Sequence, residues 1–175
     1  MTTAAYDVIV AELPALLPRL WRYGLVLARD PAVAEDLVQA TCVRALERSS
    51  QFTLGTRLDR WLFTILRSIW INQLRAQRIR TGQGLVDADK VLVTDGEQEM
   101  ETNILAGQVL KQALELPEAQ REALLLVCVE GLTYQEAADV LNVPIGTVMS
   151  RLAAARLKLS ALQMPSAENG NHEVS

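Results

Sequence analysis

Five arginines that share one helical face form the clearest chemical pattern in the chain. They are Arg57, Arg60, Arg67, Arg75 and Arg78. If residues 57–80 form one helix, the five side chains fall within an arc of about 80°. Guanidinium groups in such a row can bind successive phosphates of a nucleic-acid backbone. Asp59 is the only acidic residue between Arg57 and Arg80, which favours DNA binding over a merely solvated basic face.

A second candidate DNA-binding surface lies between residues 134 and 153. Thr133 and Glu136 have the spacing of a capping box, in which the hydroxyl caps the Glu136 amide and the Glu136 carboxylate reaches back. The short helix that they begin should end near Leu141. Residues 142–144 would form a turn, and a longer helix would begin around 146–147. This is the layout of a helix-turn-helix.

The longer helix would have two distinct faces. The apolar face, which would pack on the first helix, carries Val148, Leu152, Ala155 and Leu159. The face free to enter a major groove carries Thr147, Ser150, Arg151, Ala154 and Lys158. Thr and Ser reach phosphates and base edges, and Arg can bind guanine with two hydrogen bonds. The alternative is a plain helical hairpin whose small polar face is solvated.

Residue types that support catalysis or metal binding are not clustered. Cys42 and Cys128 each lie in an apolar helical run without a neighbouring ligand, so they should pack as reduced thiols. His172 lies in a polar tail. Glu35 and Asp36 are adjacent in sequence and point in different directions on a helix, so they form no catalytic pair. We therefore predict no enzymatic activity, no metal and no cofactor.

The net charge of -4 conceals a basic first half. Residues 1–80 carry a net charge of +4 and residues 81–115 carry -5. No stretch approaches the roughly 18 apolar residues that a membrane span requires. The first seven residues lack the basic and apolar runs of a secretion signal. We expect a cytoplasmic protein without membrane insertion.

The helix signals predict an all-α protein of two small domains. Apolar residues recur at helical spacing from Leu13 to about Ile79, with a helix from Asp30-Pro31 to about Glu47. Pro117 should open a helix from 118 to 129 that ends at Gly131. The predicted domains span residues 10–80 and 104–162. A flexible acidic linker, 81–103, would join them, and a disordered tail would follow at 163–175.

Two segments resemble a known family. Residues 131–138 (Gly-Leu-Thr-Tyr-Gln-Glu-Ala-Ala) and 143–152 (Val-Pro-Ile-Gly-Thr-Val-Met-Ser-Arg-Leu) resemble region four of extracytoplasmic-function sigma factors. Residues 30–45 and 61–75 resemble the two principal helices of region two in the same family. Together the resemblances cover most of the chain in the family's order. Departures include Cys42 in place of an aromatic residue, and Ser68 and Asn72 in place of the commoner Asn and Asp.

The resemblance implies a role for each surface. The helix at 30–45 would bind core RNA polymerase, at the clamp of its largest subunit, through Glu35, Asp36, Leu37, Gln39 and Thr41. The helix at 61–75 and the residues before it would hold the -10 element through Arg57, Arg60, Trp61, Arg67, Asn72, Arg75 and Arg78. The loop at about 49–56 lies where the family captures a flipped-out base. The -35 element would be read by Thr147, Ser150, Arg151 and Lys158.

The implied function is that of a sigma factor, which directs polymerase to promoters in a stress or envelope response. Its partners would be core polymerase (clamp and flap), promoter DNA and an anti-sigma factor. A sigma-mimicking protein that titrates an anti-sigma factor is the alternative. A stand-alone helix-turn-helix repressor is a third possibility, but it would leave residues 10–80 unexplained. We expect the two domains to be splayed or mobile in the free protein and compact when inhibited.

Overall fold

The computed structural model describes residues 2–82 and 111–163. Within these ranges the secondary structure is helical throughout, which confirms the all-α prediction. No helix in the described ranges has the length and apolarity needed to cross a membrane. Most of the predicted linker, the resumption of periodicity near Ile104, and the predicted tail after residue 163 lie outside the described residues.

The first helix, α1, spans Thr2–Ala28 and therefore begins well before the predicted domain boundary at residue 10. Ala5 and Ile9 from this early part are buried in the core. Their contribution explains why the helix extends so far: each turn adds apolar surface that the rest of the domain covers.

The second helix, α2, spans Pro31–Glu47, as predicted. Asp30 is its N-cap, and the Asp30 carboxylate accepts hydrogen bonds from the backbone amides of Ala32 (2.9 Å) and Val33 (3.4 Å). Helices α1 and α2 approach closely at Gly24, where a Cβ would lie 3.2 Å from the carbonyl oxygen of Ala34. The absence of a side chain at Gly24 therefore sets how near the two helices can pack.

A short 3₁₀ helix, Ser49–Gln51, leads into α3, which spans Leu58–Thr81. The buried residues of α3 include Leu62, Leu66 and Ile69, spaced as one helical face. Phe63 meets the buried Tyr23 of α1 edge to face, with 5.4 Å between the ring centres. The opposite side of α3 is left for the arginines.

The second domain begins in the described part of the chain with a helical segment at 111–114. Helix α4 spans Glu118–Leu124 and continues as one wide turn of π-helix over Leu125–Val129. The Glu130 amide closes this turn by donating to the carbonyl of Leu125 at 2.9 Å. Gly131 then leaves the helix with φ of 71°. The prediction of one helix ending at Gly131 holds for its extent, but not for its regular α geometry.

Helices α5 (Tyr134–Leu141) and α6 (Ile145–Gln163) form the predicted helix-turn-helix. Asn142 makes the turn with a φ of 53°, a left-handed conformation that Asn tolerates better than most residues. Val148, Leu152 and Ala155 of α6 are all fully buried, as predicted. The capping box is formed in one direction: the Thr133 hydroxyl accepts from the Glu136 amide at 3.1 Å. The Glu136 carboxylate does not reach back, because it is bound to a residue of the first domain.

The two domains pack on one another. Buried apolar residues of α1 and α3 belong to the same continuous cluster as those of α4, α5 and α6. Helix α5 lies on α3, and α4 lies on α1. The expectation of splayed domains in the free chain therefore differs from the structure, in which the described domains share a core. The physical reason is that apolar and ionic surfaces of both domains are complementary and bury each other.

Candidate DNA and polymerase surfaces

The five arginines predicted to follow a DNA backbone lie along α3. Arg57 is the N-cap residue, and the other four lie within the helix. Arg75 and Arg78 are exposed near its C-terminal end. Among the residues that the structure describes, no carboxylate pairs with either of them. These two guanidinium groups are available to phosphates in this conformation.

The remaining three arginines of the row pair with carboxylates of the second domain. The N–O distances are 2.8 Å for Arg57–Glu136, 3.2 Å for Arg60–Asp139 and 2.9 Å for Arg67–Glu122. The first two pairs are substantially exposed to solvent, where an ion pair contributes about 0–1 kcal/mol. The third is largely buried. Three of the five arginines in the predicted DNA surface are thus paired with helices α4 and α5.

Asp59 binds Arg57, the first arginine of the row. Its carboxylate accepts from Arg57 at 2.7 Å, from Arg19 of α1 at 3.0 Å and from the Arg60 amide at 2.8 Å. Burial alone would raise the pKa of Asp59, but the hydrogen bonds from Arg57 and Arg19 outweigh it and hold that pKa below its ordinary value. Asp59 therefore remains ionised and orients Arg57 for its contact with Glu136.

Glu122 lies at the centre of the contact between the domains. Its Oε1 atom accepts both the hydroxyl of Tyr23 at 2.7 Å and Nε of Arg67 at 2.9 Å. Burial raises the pKa of Glu122 above its ordinary value, against the opposing influence of Arg67 and Tyr23. Burial and the neighbouring Glu122 carboxylate raise the pKa of Tyr23 as well. The phenol therefore remains a hydrogen-bond donor.

Glu130, just after the π-helical turn, is a second buried carboxylate between the domains. Its side chain is 1% exposed and accepts from Arg19 and Arg22 of α1. Arg121 of α4 crosses in the other direction and donates to the backbone carbonyl of Val26 at 2.7 Å. Charged groups at these depths require partners, since an unpaired buried charge costs several kcal/mol.

The sequence analysis missed Arg19, Arg22, Tyr23, Glu122 and Glu130. One sequence signal could have identified Glu122 as a buried residue. Glu122 lies four residues before the buried Leu126 and hence on the apolar face of its helix. A carboxylate on an apolar face requires a buried partner. Nothing local could have said which residue that partner is.

The predicted polymerase-binding residues of α2 divide into two groups. Glu35, Asp36 and Gln39 are exposed and form a continuous polar surface. Leu37 and Thr41 are fully buried, and the Thr41 hydroxyl donates to the Leu37 carbonyl at 2.7 Å. In this structure the Leu37 and Thr41 side chains pack inward and hold the exposed face in place, and their predicted contribution to polymerase binding stays a prediction.

The other residues predicted to bind the -10 element lie at the edge of the arginine row. Trp61 is half-buried and packs against Phe52, with ring centres 5.2 Å apart. Asn72 is exposed and lines a cleft of about 390 Å³ between α3 and the end of α5. Arg67 and Arg75 also line this cleft, on the side opposite Asp139.

The predicted -35 surface on α6 is open to solvent. Ser150 and Lys158 are exposed, and Thr147 and Arg151 are partly exposed. The Ser150 hydroxyl donates to the Thr147 carbonyl at 3.0 Å. The four residues remain on one side of the helix, away from the buried Val148 face. The domain packing that covers the arginine row leaves this surface uncovered.

Two family models match the chain. The model described as Sigma-70 region 2 matches residues 14–79, and the model described as Sigma-70, region 4 matches residues 106–159. The first covers α3 with its arginine row together with α2, and the second covers the helix-turn-helix.

Similar proteins extend over both domains. The extracytoplasmic-function (ECF) RNA polymerase sigma factor EcfG of Rhodopseudomonas palustris strain TIE-1 is 37% identical over 158 residues, which is 89% of this chain and 85% of that protein. The ECF sigma factor SigC of Mycobacterium tuberculosis strain CDC 1551 is 34% identical over 81% of this chain and 76% of its own. The sigma factor RpoE of Bartonella quintana, solved with the anti-sigma factor NepR, is 31% identical, with a TM-score of 0.75 and coverage of 89% of this chain and 96% of its own.

Proposed function

The chain belongs to the ECF sigma factors of RNA polymerase, and from this premise we propose which of its surfaces perform the binding tasks of such a factor. A sigma factor binds core RNA polymerase and directs it to promoters, so its work is binding rather than catalysis. The observation that carries the assignment is the pair of separate surfaces on the first domain. Helix α2 exposes Glu35, Asp36 and Gln39, while α3 carries the arginine row.

We assign the α2 surface to core polymerase and the arginine row of α3 to the -10 element. Guanidinium groups bind phosphates regardless of sequence, and the half-buried Trp61 offers an aromatic face to an unstacked base. The α6 surface would enter the major groove of the -35 element, with Arg151 as its guanine-reading side chain. The separation of these surfaces supports simultaneous contact with polymerase and both promoter elements.

Control by an anti-sigma factor completes the proposal. The similar Bartonella quintana sigma factor was solved with the anti-sigma factor NepR. A protein of that kind would prevent this chain from competing for polymerase until a stress or envelope signal releases it. The cytoplasm, where polymerase acts, is the corresponding location.

The test is transcription from a library of genomic fragments with purified core polymerase, with and without this protein. The double variant Asp36→Arg/Gln39→Ala should lose both co-purification with core polymerase and transcription, because it reverses charge at the centre of the exposed α2 face. Asp7→Arg on exposed α1 is the control and should retain both. A folded double variant that still co-purifies and transcribes would contradict the α2 assignment.

The same experiment separates the sigma-mimic alternative. A mimic would bind an anti-sigma factor but would yield no promoter-specific transcript with core polymerase. The exposed Thr147, Ser150 and Arg151 surface favours the sigma factor, since a protein that never reads a promoter has no need of it.

A further inference from the structure

Every carboxylate between residues 116 and 160 is directed at the first domain. This segment contains five acidic residues. Their first-domain partners are Trp70 for Glu118, Tyr23 and Arg67 for Glu122, Arg19 and Arg22 for Glu130, Arg57 for Glu136, and Arg60 for Asp139. Acidic side chains scattered for solubility alone would face in several directions. Their common direction shows that residues 116–160 complement the charge of the basic first domain, whereas the exposed Glu115 just before this segment has no first-domain partner among the described residues.

The two outermost carboxylates meet the arginines that would hold DNA. Glu136 and Asp139 are three residues apart on α5 and hence on one side of it. Glu136 binds Arg57 at 2.8 Å, and Asp139 binds Arg60 at 3.2 Å. Nε of Arg60 has no hydrogen-bond partner and lies 3.9 Å from Glu136. The Glu136 and Asp139 carboxylates thus occupy the positions that phosphate oxygens of bound DNA would take.

We propose that α5 is an intramolecular competitor of promoter DNA: in the free protein, Glu136 and Asp139 occupy Arg57 and Arg60, and DNA binds these two arginines only after their ion pairs with α5 open. We call these four residues the α5 latch. The inference rests on the proposed function, because it assumes that the arginine row is the surface for the -10 element. It adds a regulatory contact within the chain that acts without an inhibitor protein.

The chemistry of the latch suits a contact that must open. Its four side chains are between 20% and 54% exposed, so water and salt weaken each ion pair. The α5 carboxylates and the α3 arginines are nevertheless held on one chain. The carboxylates therefore have a high effective concentration when they compete with free DNA for the arginines. Binding of α2 and the second domain to separated sites on polymerase would be sufficient to draw the latch apart.

The buried contacts are unsuitable for testing the latch. Glu122 and Glu130 lie in the shared core, where a substitution would disturb the fold together with the contact. Glu136 and Asp139 lie at the rim, and their substitution leaves the apolar contact between the domains intact. The latch is therefore tested at α5 in the full chain.

The measurement is fluorescence anisotropy of a labelled 30-nucleotide single-stranded DNA of mixed sequence, titrated with free protein at low salt. Glu136→Lys/Asp139→Lys should bind roughly tenfold or more tightly than the wild type, because it replaces attraction to Arg57 and Arg60 by repulsion. Glu136→Gln/Asp139→Asn should show a smaller gain in the same direction. The matched control is Asp7→Lys/Glu12→Lys, which makes the same change in net charge on exposed α1.

The outcomes are decisive in either direction. A gain from both α5 variants that exceeds their charge-matched controls, and that is lost when Arg57→Ala/Arg60→Ala is added, supports the latch. If the lysine variant fails to fold, judged by its circular dichroism, the amide variant is compared with Asp7→Asn/Glu12→Gln instead. Equal gains in α5 variants and controls, or no gain, would overturn the proposal. Failure of the proposed function would appear separately, as wild-type protein that supports no promoter-specific transcription with core polymerase.

Discussion

At position 122 a carboxylate lies in the contact between the domains, and two donors share its Oε1 atom. Tyr23 is completely buried and has no other acceptor among the hydrogen bonds of the described residues. Arg67 is 21% exposed and approaches from α3. Glu122 supplies one hydrogen-bond acceptor that Tyr23 and Arg67 share. Its negative charge is a separate quantity, and burial works against it.

Two substitutions separate these properties. Glu122→Leu should lower the free energy of unfolding by about 1–3 kcal/mol, because it leaves the Tyr23 hydroxyl buried without an acceptor. Glu122→Gln should cost less, since its carbonyl can still accept from Tyr23 and Arg67. Urea denaturation of the full chain at pH 7 measures both. Equal losses for the two variants would show that the charge, rather than the acceptor, stabilises the contact.

The pH dependence provides a second check on the same pair of variants. Because burial raises the pKa of Glu122, the folded protein binds a proton there more tightly than the unfolded chain does. The stability from this residue is therefore present at low pH and is lost as the pH rises from the ordinary glutamate pKa, about 4.3, through its raised folded value. The stability of Glu122→Gln relative to the wild type should increase across that window. A constant difference would mean that the pKa of Glu122 is not raised.

Helix α6 is the element that we propose reads the DNA sequence of the -35 element. Its buried face, with Val148 and Leu152, fixes its rotation against α5, and this rotation turns Arg151 and Lys158 outward. Arg156 lies on another side of the helix and is exposed, and the nearby Tyr134 and Cys128 side chains raise its pKa. Arg156 therefore lies apart from the predicted DNA surface.

Replacement of Arg151 and replacement of Lys158 in α6 should affect DNA binding in different ways. Arg151→Ala should cost about 1–3 kcal/mol in promoter binding and relax base preference at one or two positions, because it removes a base contact. Lys158→Ala should weaken binding to all sequences evenly and flatten its salt dependence, as loss of a phosphate contact does. Binding of polymerase holoenzyme to randomised -35 duplexes measures both effects. If Arg151→Ala left affinity and preference unchanged, α6 would not be the reading helix.

On the scale of the whole molecule, the shared core determines the arrangement of the free chain. The exposed pairs of the α5 latch contribute little energy individually. Buried apolar side chains of both domains, including Tyr23, Phe63 and Leu126, form one cluster, and apolar burial stabilises by about 25 cal/mol for each Å² removed from water. The apolar contact thus holds the domains together, and the charges decide which surfaces are covered.

This arrangement predicts a single short interdomain distance in the free protein. Fluorescence transfer between labels at positions 48 and 158, with Cys42 and Cys128 replaced by serine, should give a narrow distribution. Binding of core polymerase should lengthen the distance, because the two domains must then reach separate promoter elements. An unchanged short distance on polymerase would mean that the domains function as one rigid body, and opening of the latch by domain separation would be excluded.

What the sequence determined by itself is what depends on neighbours along the chain. The Asp30 cap, the turn at Asn142 and the buried Val148 face of α6 were predictable because capping and periodicity act over a few residues. The family motifs added the function. The arginine row was predicted correctly as a feature of α3, for the same reason.

Tertiary structure alone decided what faces those elements. The ion pairs of Arg57 and Arg60 join residues 79 positions apart, and those of Glu130 with α1 join residues more than 100 apart. Asp59 is the only acid within α3, which suggested an open basic face, yet the other acids that pair with the row come from another domain. The charge pattern of one helix specifies which kind of group that helix can bind. Which group it does bind is decided by the packing of the whole chain, and no local sequence pattern contains that information.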